Sequence, residues 1–112
     1  MITIYNQTKK TILSKDAKYA LSFGDQTLGL LKKSNPRTLI FKTRFGIHTF
    51  FMKFPLDIVI MNKDKKVVKL KEQLKPNKIF FWNPRYESVL ELPAGSIKKL
   101  KLKNGNILEF NL

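Results

Sequence analysis

The residues able to do chemistry are few, and they sit inside greasy sequence. RFGIHTFFMKFPLDIVIM, residues 44–61, carries the chain's one histidine, His48, and an aspartate, Asp57, within its most apolar stretch. An imidazole beside a carboxylate is a common acid–base pair, because the carboxylate raises the imidazole pKa and orients the ring. Glu91, alone between Leu90 and Leu92, is a second embedded acid. His48, Thr49, Asp57 and Glu91 therefore make one candidate ligand pocket, suited to small-ligand binding or hydrolysis.

The same residue types also serve construction. One histidine and two carboxylates are too few to hold a metal, and without a second histidine no HxH or HxxxH spacing exists. No serine sits in a nucleophile elbow, and no Gly-rich phosphate loop follows a strand. The absence of cysteine excludes thiol catalysis and Cys-ligated metals. Asp57, just past Pro55, is placed to accept backbone N–H groups that a proline bend leaves without partners. Structural roles for His48, Asp57 and Glu91 are expected ahead of catalysis, with no catalytic residue and no cofactor.

A second chemistry lies in the charge. The 112 residues include 22 basic against 8 acidic side chains, a formal net charge of +14. Such a surplus attracts polyanions, nucleic acid above all, or anionic membrane surfaces. An AT-rich coding bias would enrich Lys, Asn, Ile and Phe but would not deplete Asp and Glu. Only Arg37, Arg44 and Arg85 are arginines, and lysine lacks the planar fork that reads bases, so backbone attraction is favoured over sequence reading.

FFWNPRY (80–86) interleaves aromatic faces with a cation, as single-strand binders do. Trp82 and Arg85 are its expected exposed contacts, against a competing reading in which Phe80 and Trp82 pack inward. Lys69, Lys71, Lys99 and Lys101 are further candidate nucleic-acid contacts. Their alternation with Val68, Leu70, Leu100 and Leu102 predicts solvated faces of half-buried strands, which also discourage edge-to-edge association.

These residues need elements to position them. ITIYN (2–6) and TIL (11–13) predict an opening hairpin. Ser14 is placed to cap a helix over 15–23, with Ala17, Ala20 and Leu21 at helical spacing and Gly24 to end it. Asp25 is placed to cap a second turn carrying Leu28, Leu30 and Leu31, and SNPR (34–37) reads as a turn. Strands are then predicted at TLIFK (38–42), IHTFFMK (47–53), LDIVIM (56–61), KVVKLK (66–71), IFFW (79–82) and SVLEL (88–92). An extended 47–53 would put His48, Phe50 and Met52 on one face, with Ile47, Thr49 and Phe51 on the other. PAGS (93–96) opens a helical turn through Leu100, and Asn104-Gly105 predicts a hairpin between KLKLK (99–103) and NILEFNL. Met52 and Met61 are assigned to core filling.

The result is one domain over residues 1–112, mainly β (α+β), compact and barrel-like. It has one or two short helices near the N-terminus and a helical turn near 96–100. The opening MITIYNQTKK is not a leader followed by an apolar run, and no run of ~18 apolar residues exists to span a bilayer. A soluble, cytoplasmic protein is expected.

GIHTFFMKFPLDIVIM, VLELPAG (89–95), LKNGNILEF (102–110) and TLGLL (27–31) together resemble the prokaryotic family called domain of unknown function 192. The resemblance runs from about Ala17 to Phe110 and implies a single mainly β, barrel-like domain with one or two small helices. It implies no activity. Two departures stand out: Gly105-Asn106 where the family commonly has Gly-Asp, and Leu31 where a methionine is frequent. Asn106 is an adequate replacement if the acid only shapes a turn.

Overall fold

Apolar and polar residues alternate through ITIYN, and the first strand, β1 (Ile2–Asn6), buries Ile2, Ile4 and Asn6 on one face. The structure is a computed structural model and describes residues 2–19, 38–44, 46–50 and 52–111. β2 (Thr11–Tyr19) returns antiparallel to β1, as the expected hairpin. There follow β3 (Leu39–Lys42), β4 (Ile47–His48), β5 (Leu56–Met61), β6 (Val67–Leu74), β7 (Ile79–Phe80) and β8 (Ser88–Pro93). A single helical turn, α1 (Ser96–Lys99), precedes the last strand, β9 (Leu108–Asn111).

One large sheet runs in the order β6-β5-β8-β3-β2-β1-β9, and β4 pairs with β7 in a separate two-stranded ribbon. Only β2 and β3 run parallel among the paired strands described. The two ends of the sheet curl toward each other. Lys66 bridges Ile107, the Val67 N–H donates to the Asn106 carbonyl at 2.8 Å, and the Gly105 N–H donates to the Val67 carbonyl at 2.8 Å. The sheet is thus a curled half-barrel, the mainly β, barrel-like architecture expected from the strand pattern.

β5 explains the layering. Every residue of LDIVIM is buried, because both faces of this strand are covered. Val59 and Met61 face the barrel interior with Ile4, Ala17, Ile40, Leu90, Leu92 and Ile97. Ile58 and Ile60 face outward into a second apolar layer with Leu39, Phe41, Met52, Val89 and Trp82, to which Ile47 of the ribbon contributes. Met52 and Met61 both fill core, as expected.

Three expectations need correction. Residues 15–19 are strand rather than helix. Ala17 is buried opposite Ile2, and Lys18 and Tyr19 pair with Leu39 and Ile40, so tertiary pairing overrides helical propensity. Residues 20–23, and the second turn expected from Asp25, lie outside the described residues. IHTFFMK is a strand only at Ile47–His48. Thr49 then ties the chain to the 75–78 loop: its hydroxyl donates to the Lys75 carbonyl (2.6 Å) and accepts from the Lys78 N–H (2.9 Å). Met52 is therefore buried while His48 and Phe50 are exposed, and the expected alternation fails.

KLKLK, finally, is no strand. The Leu100 N–H donates to the Ser96 carbonyl and the Leu102 N–H to the Ile97 carbonyl, so α1 and its exit occupy these residues. Asn104-Gly105 does turn the chain, with Gly105 at φ 95°, but the partner across the turn is Val67.

The ribbon depends on Gly46. Its φ is +124°, and a Cβ there would lie 2.6 Å from the Phe80 carbonyl oxygen and 2.8 Å from Phe81 Cδ1. Gly46→Ala is expected to cost about 2 kcal/mol through backbone strain and a steric clash. Urea unfolding of the variant beside the parent protein checks this.

Candidate functional site

The sequence-derived pocket residues occupy different places. His48 lies on β4 opposite Ile79, exposed, with its Nδ1 accepting from the Phe50 N–H at 3.4 Å and its ring stacked on Phe50 at 5.0 Å. Thr49 is the buried tie described above. Asp57 and Glu91 sit on neighbouring strands but on opposite faces of the sheet. Asp57 pairs with Leu92, which faces the interior core; Glu91 pairs with Ile58 and Leu39, which face the outer layer. The sheet itself separates the two acids, and His48 is exposed on the separate β4–β7 ribbon while both acids are buried.

Asp57 is fully buried and fully used. Oδ1 accepts from the Gln73 N–H and Oδ2 from the Ile97 N–H, each at 2.8 Å. Gln73 has φ 48°, beside a break in the β5–β6 register. Gly95, at the N-cap position of α1, supplies no side-chain cap. Asp57 therefore pins a strand irregularity with one oxygen and caps a helical turn from across the fold with the other. The expected role in construction holds, but the donors come from β6 and α1 rather than from the Pro55 bend.

Glu91 is different. It too is fully buried, yet among the described residues neither carboxyl oxygen has a hydrogen-bond partner. Burial in the apolar layer disfavours its charged form and raises its pKa from the ordinary 4.5 to about 8. Among the described residues no cluster of three His, Cys, Asp or Glu side chains could hold a metal.

The nucleic-acid candidates also divide. Trp82 is buried, its indole N–H donating to the Tyr86 carbonyl at 2.8 Å and its ring beside Phe80. The expected exposed contact is corrected: the indole is a plug of the outer layer, because it offers much apolar area and finds its one donor a backbone partner. Arg85 is exposed, as are Lys69, Lys71, Lys99 and Lys101. Lys69 and Lys71 flank the outer face on β6, Lys69 Nζ lying 5.3 Å from the Phe80 ring centroid. Lys99 and Lys101 belong to α1 and its exit.

Of these candidates, Arg85 alone lines a cavity of about 700 Å³ at one end of the sheet. It opens where β2 ends at Tyr19, β3 at Lys42 and β5 at Met61, and where β8 begins at Ser88. Ile40, Phe41, Met61 and Phe110 give it apolar lining, and Tyr19 stands exposed at its wall. Among the described residues Lys42, Arg44, Lys63, Lys65 and Arg85 surround it, against the one carboxylate of Glu87. Glu87 is already engaged by Arg44 at 3.3 Å, while Lys65 Nζ lies 5.4 Å from the Phe110 ring centroid. The side chains of α1 and its exit, Ile97 and Leu102, belong to the interior core and carry no part of this mouth.

Sequence reasoning singled out only Arg85 of this set. Lys42 ends β3, Arg44 follows it, and Lys63 and Lys65 share the turn after β5, so the only local signals are the turns NKDK and NPRY.

Asn106 answers the question its position raised. Its Oδ1 accepts from the Lys103 N–H (3.1 Å) and from Asn6 Nδ2 (3.0 Å), so the group there fixes a turn through an oxygen that a carboxylate would supply equally. Asn106→Asp is expected to stay within about 1 kcal/mol of the parent, and Asn106→Ala to lose about 2 kcal/mol. Thermal unfolding of both variants distinguishes them.

No helix among the described residues is long and apolar enough to cross a membrane. The model of domain of unknown function 192, described as an uncharacterized ACR, matches residues 4–110. The chain is 30% identical over 112 residues to UPF0127 protein PF1050 of Pyrococcus furiosus, covering 95% of this chain and 96% of that protein. It is 29% identical over 116 residues to UPF0127 protein PYRAB11210 of Pyrococcus abyssi, covering 98% of each. A crystal structure of a protein of unknown function from Novosphingobium aromaticivorans has the same fold, with a TM-score of 0.76 at 19% identity, over 96% of this chain and 82% of that one. On the match across residues 4–110, the chain belongs to the family of domain of unknown function 192.

Proposed function

We propose that the domain is a binding module for polyanions, nucleic acid first among them, and that contact is made at the open mouth of the half-barrel. One observation carries this reading: among the described residues, five cationic side chains surround a cavity whose one carboxylate is already paired with an arginine. Such a concentration of like charge costs self-repulsion in the free protein, and a bound anion relieves it. The surplus of the whole chain, +14, then aids encounter, while the mouth supplies the place.

The test compares two charge reversals with the same change in net charge. Lys63→Glu with Arg85→Glu removes mouth cations; Lys99→Glu with Lys101→Glu removes cations outside it. Binding of a labelled single-stranded oligonucleotide, read by fluorescence anisotropy at about 50 mM salt, is expected to fall at least tenfold in the first pair and about threefold or less in the second. Affinity of the parent is expected to collapse toward about 200 mM salt as counterion release requires. Equal losses in the two pairs would put the attraction on the surface at large, and no binding at low salt would end the proposal.

A further inference from the structure

The mouth is more than a ring of charge, and its shape and lining narrow what it can take. We infer that it admits a single unpaired nucleotide, so that the domain takes single-stranded nucleic acid in preference to duplex. This rests on the polyanion reading of the same site. A cavity of about 700 Å³ has the size of a small-molecule pocket, and its lining joins the apolar Ile40, Phe41, Met61 and Phe110 to the cations. A free phosphate or a polyphosphate has no use for such a lining, whereas a base does. Tyr19 is 63% exposed at the wall with no ring contact among the described residues, which makes it a ready stacking face.

Lys65 Nζ lies 5.4 Å from the Phe110 ring centroid, so a cation and an aromatic face adjoin in the lining. A base inside the mouth would leave its flanking phosphates at the rim, within reach of Lys63 and Arg85. A duplex cannot use this arrangement. Its bases are stacked inside a rod whose phosphates face outward, and a concave barrel end meets such a rod only at the rim. Arg44, with one guanidinium nitrogen on Glu87 and another on the Pro84 carbonyl, is not free to read base edges. Stacking without a fork predicts tolerance of sequence.

The experiment uses the intact protein and three probes roughly ten nucleotides long: an oligothymidylate, an abasic deoxyribose-phosphate strand of the same length, and a duplex. The oligothymidylate is expected to bind about tenfold tighter than the abasic strand, although the two carry the same backbone charge, and tighter than the duplex. Tyr19→Ala is expected to erase the difference between oligothymidylate and abasic strand, and Tyr19→Phe to keep it. The contrast between probes in the parent protein stands whether or not a variant folds well. Equal affinity for oligothymidylate and abasic strand, or a Tyr19→Ala protein that keeps the contrast, overturns the inference and leaves the polyanion reading intact. Failure of all three probes to bind at about 50 mM salt removes both.

Discussion

Glu91→Met is expected to stabilise the domain, and to do so increasingly as the pH rises. The Glu91 carboxyl is buried without a hydrogen bond among the described residues, and burial raises its pKa from 4.5 to about 8. Between those values the unfolded chain has lost the proton and the fold must keep it. The favourable state of this group is therefore fully present below about pH 4.5, is lost progressively above it, and changes no further once the pH passes about 8. The slope is about 1.4 kcal/mol per pH unit, so the parent should lose on the order of 3 kcal/mol relative to Glu91→Met between about pH 5 and pH 8. Methionine fills a similar volume with an unbranched apolar chain and brings no polar group to satisfy. Chemical unfolding of both proteins across that window tests the point. A difference that does not change with pH would mean that the Glu91 carboxyl finds water or a partner in solution.

Asp57→Ala is expected to have the opposite sign and a comparable size. Removing the carboxylate strands the Ile97 N–H in a buried position and the Gln73 N–H in a partly buried one, which together cost about 3 kcal/mol. Asp57→Asn is no rescue: the carboxamide offers one acceptor oxygen and turns its NH₂ toward the second donor. Both variants should loosen α1 selectively, because Ile97 loses its cap. Amide hydrogen exchange at Ile97 and at Gln73 is expected to quicken beyond the general loss of stability. An Asp57→Asn protein as stable as the parent would show that these two bonds contribute little. The two embedded acids thus differ in kind, one joining elements and the other burdening its layer.

How much of this was legible in the sequence depends on how local the cause was. β5 was legible because six buried residues stand between a proline and the NKDK turn, and burial on both faces writes a continuous apolar run. The segment 15–19 was misread for a definite reason. Ser14 and Ala17 are the buried residues of β2, and a break in register inserts an extra residue between them. Their spacing of three, which mimics a helix, is the mark of a bulge. IHTFFMK showed the composition of a strand, but the Thr49 hydroxyl offered the backbone a different set of partners.

The site was less legible than the fold. That Asp57 and Glu91 would be buried could be read from their neighbours. That they face opposite ways follows from the register that sets Asp57 against Leu92, and a slip of one residue would have reversed it. The cations of the mouth come together only because β2, β3 and β5 end at one side of the barrel, where β8 begins. No stretch of sequence holds that information.

If the embedded polar residues hold the half-barrel together and recognition belongs to the cationic mouth, as proposed, a single-stranded oligonucleotide titrated at low salt into the isotopically labelled protein will perturb only the mouth in two-dimensional NMR. Shift changes are expected at Tyr19, Lys42, Lys63, Lys65, Arg85 and Phe110, with the Trp82 indole and the amides of His48, Asp57 and Glu91 unmoved. Changes centred on His48, Asp57 and Glu91, or spread evenly over the exposed lysines, would contradict the proposal.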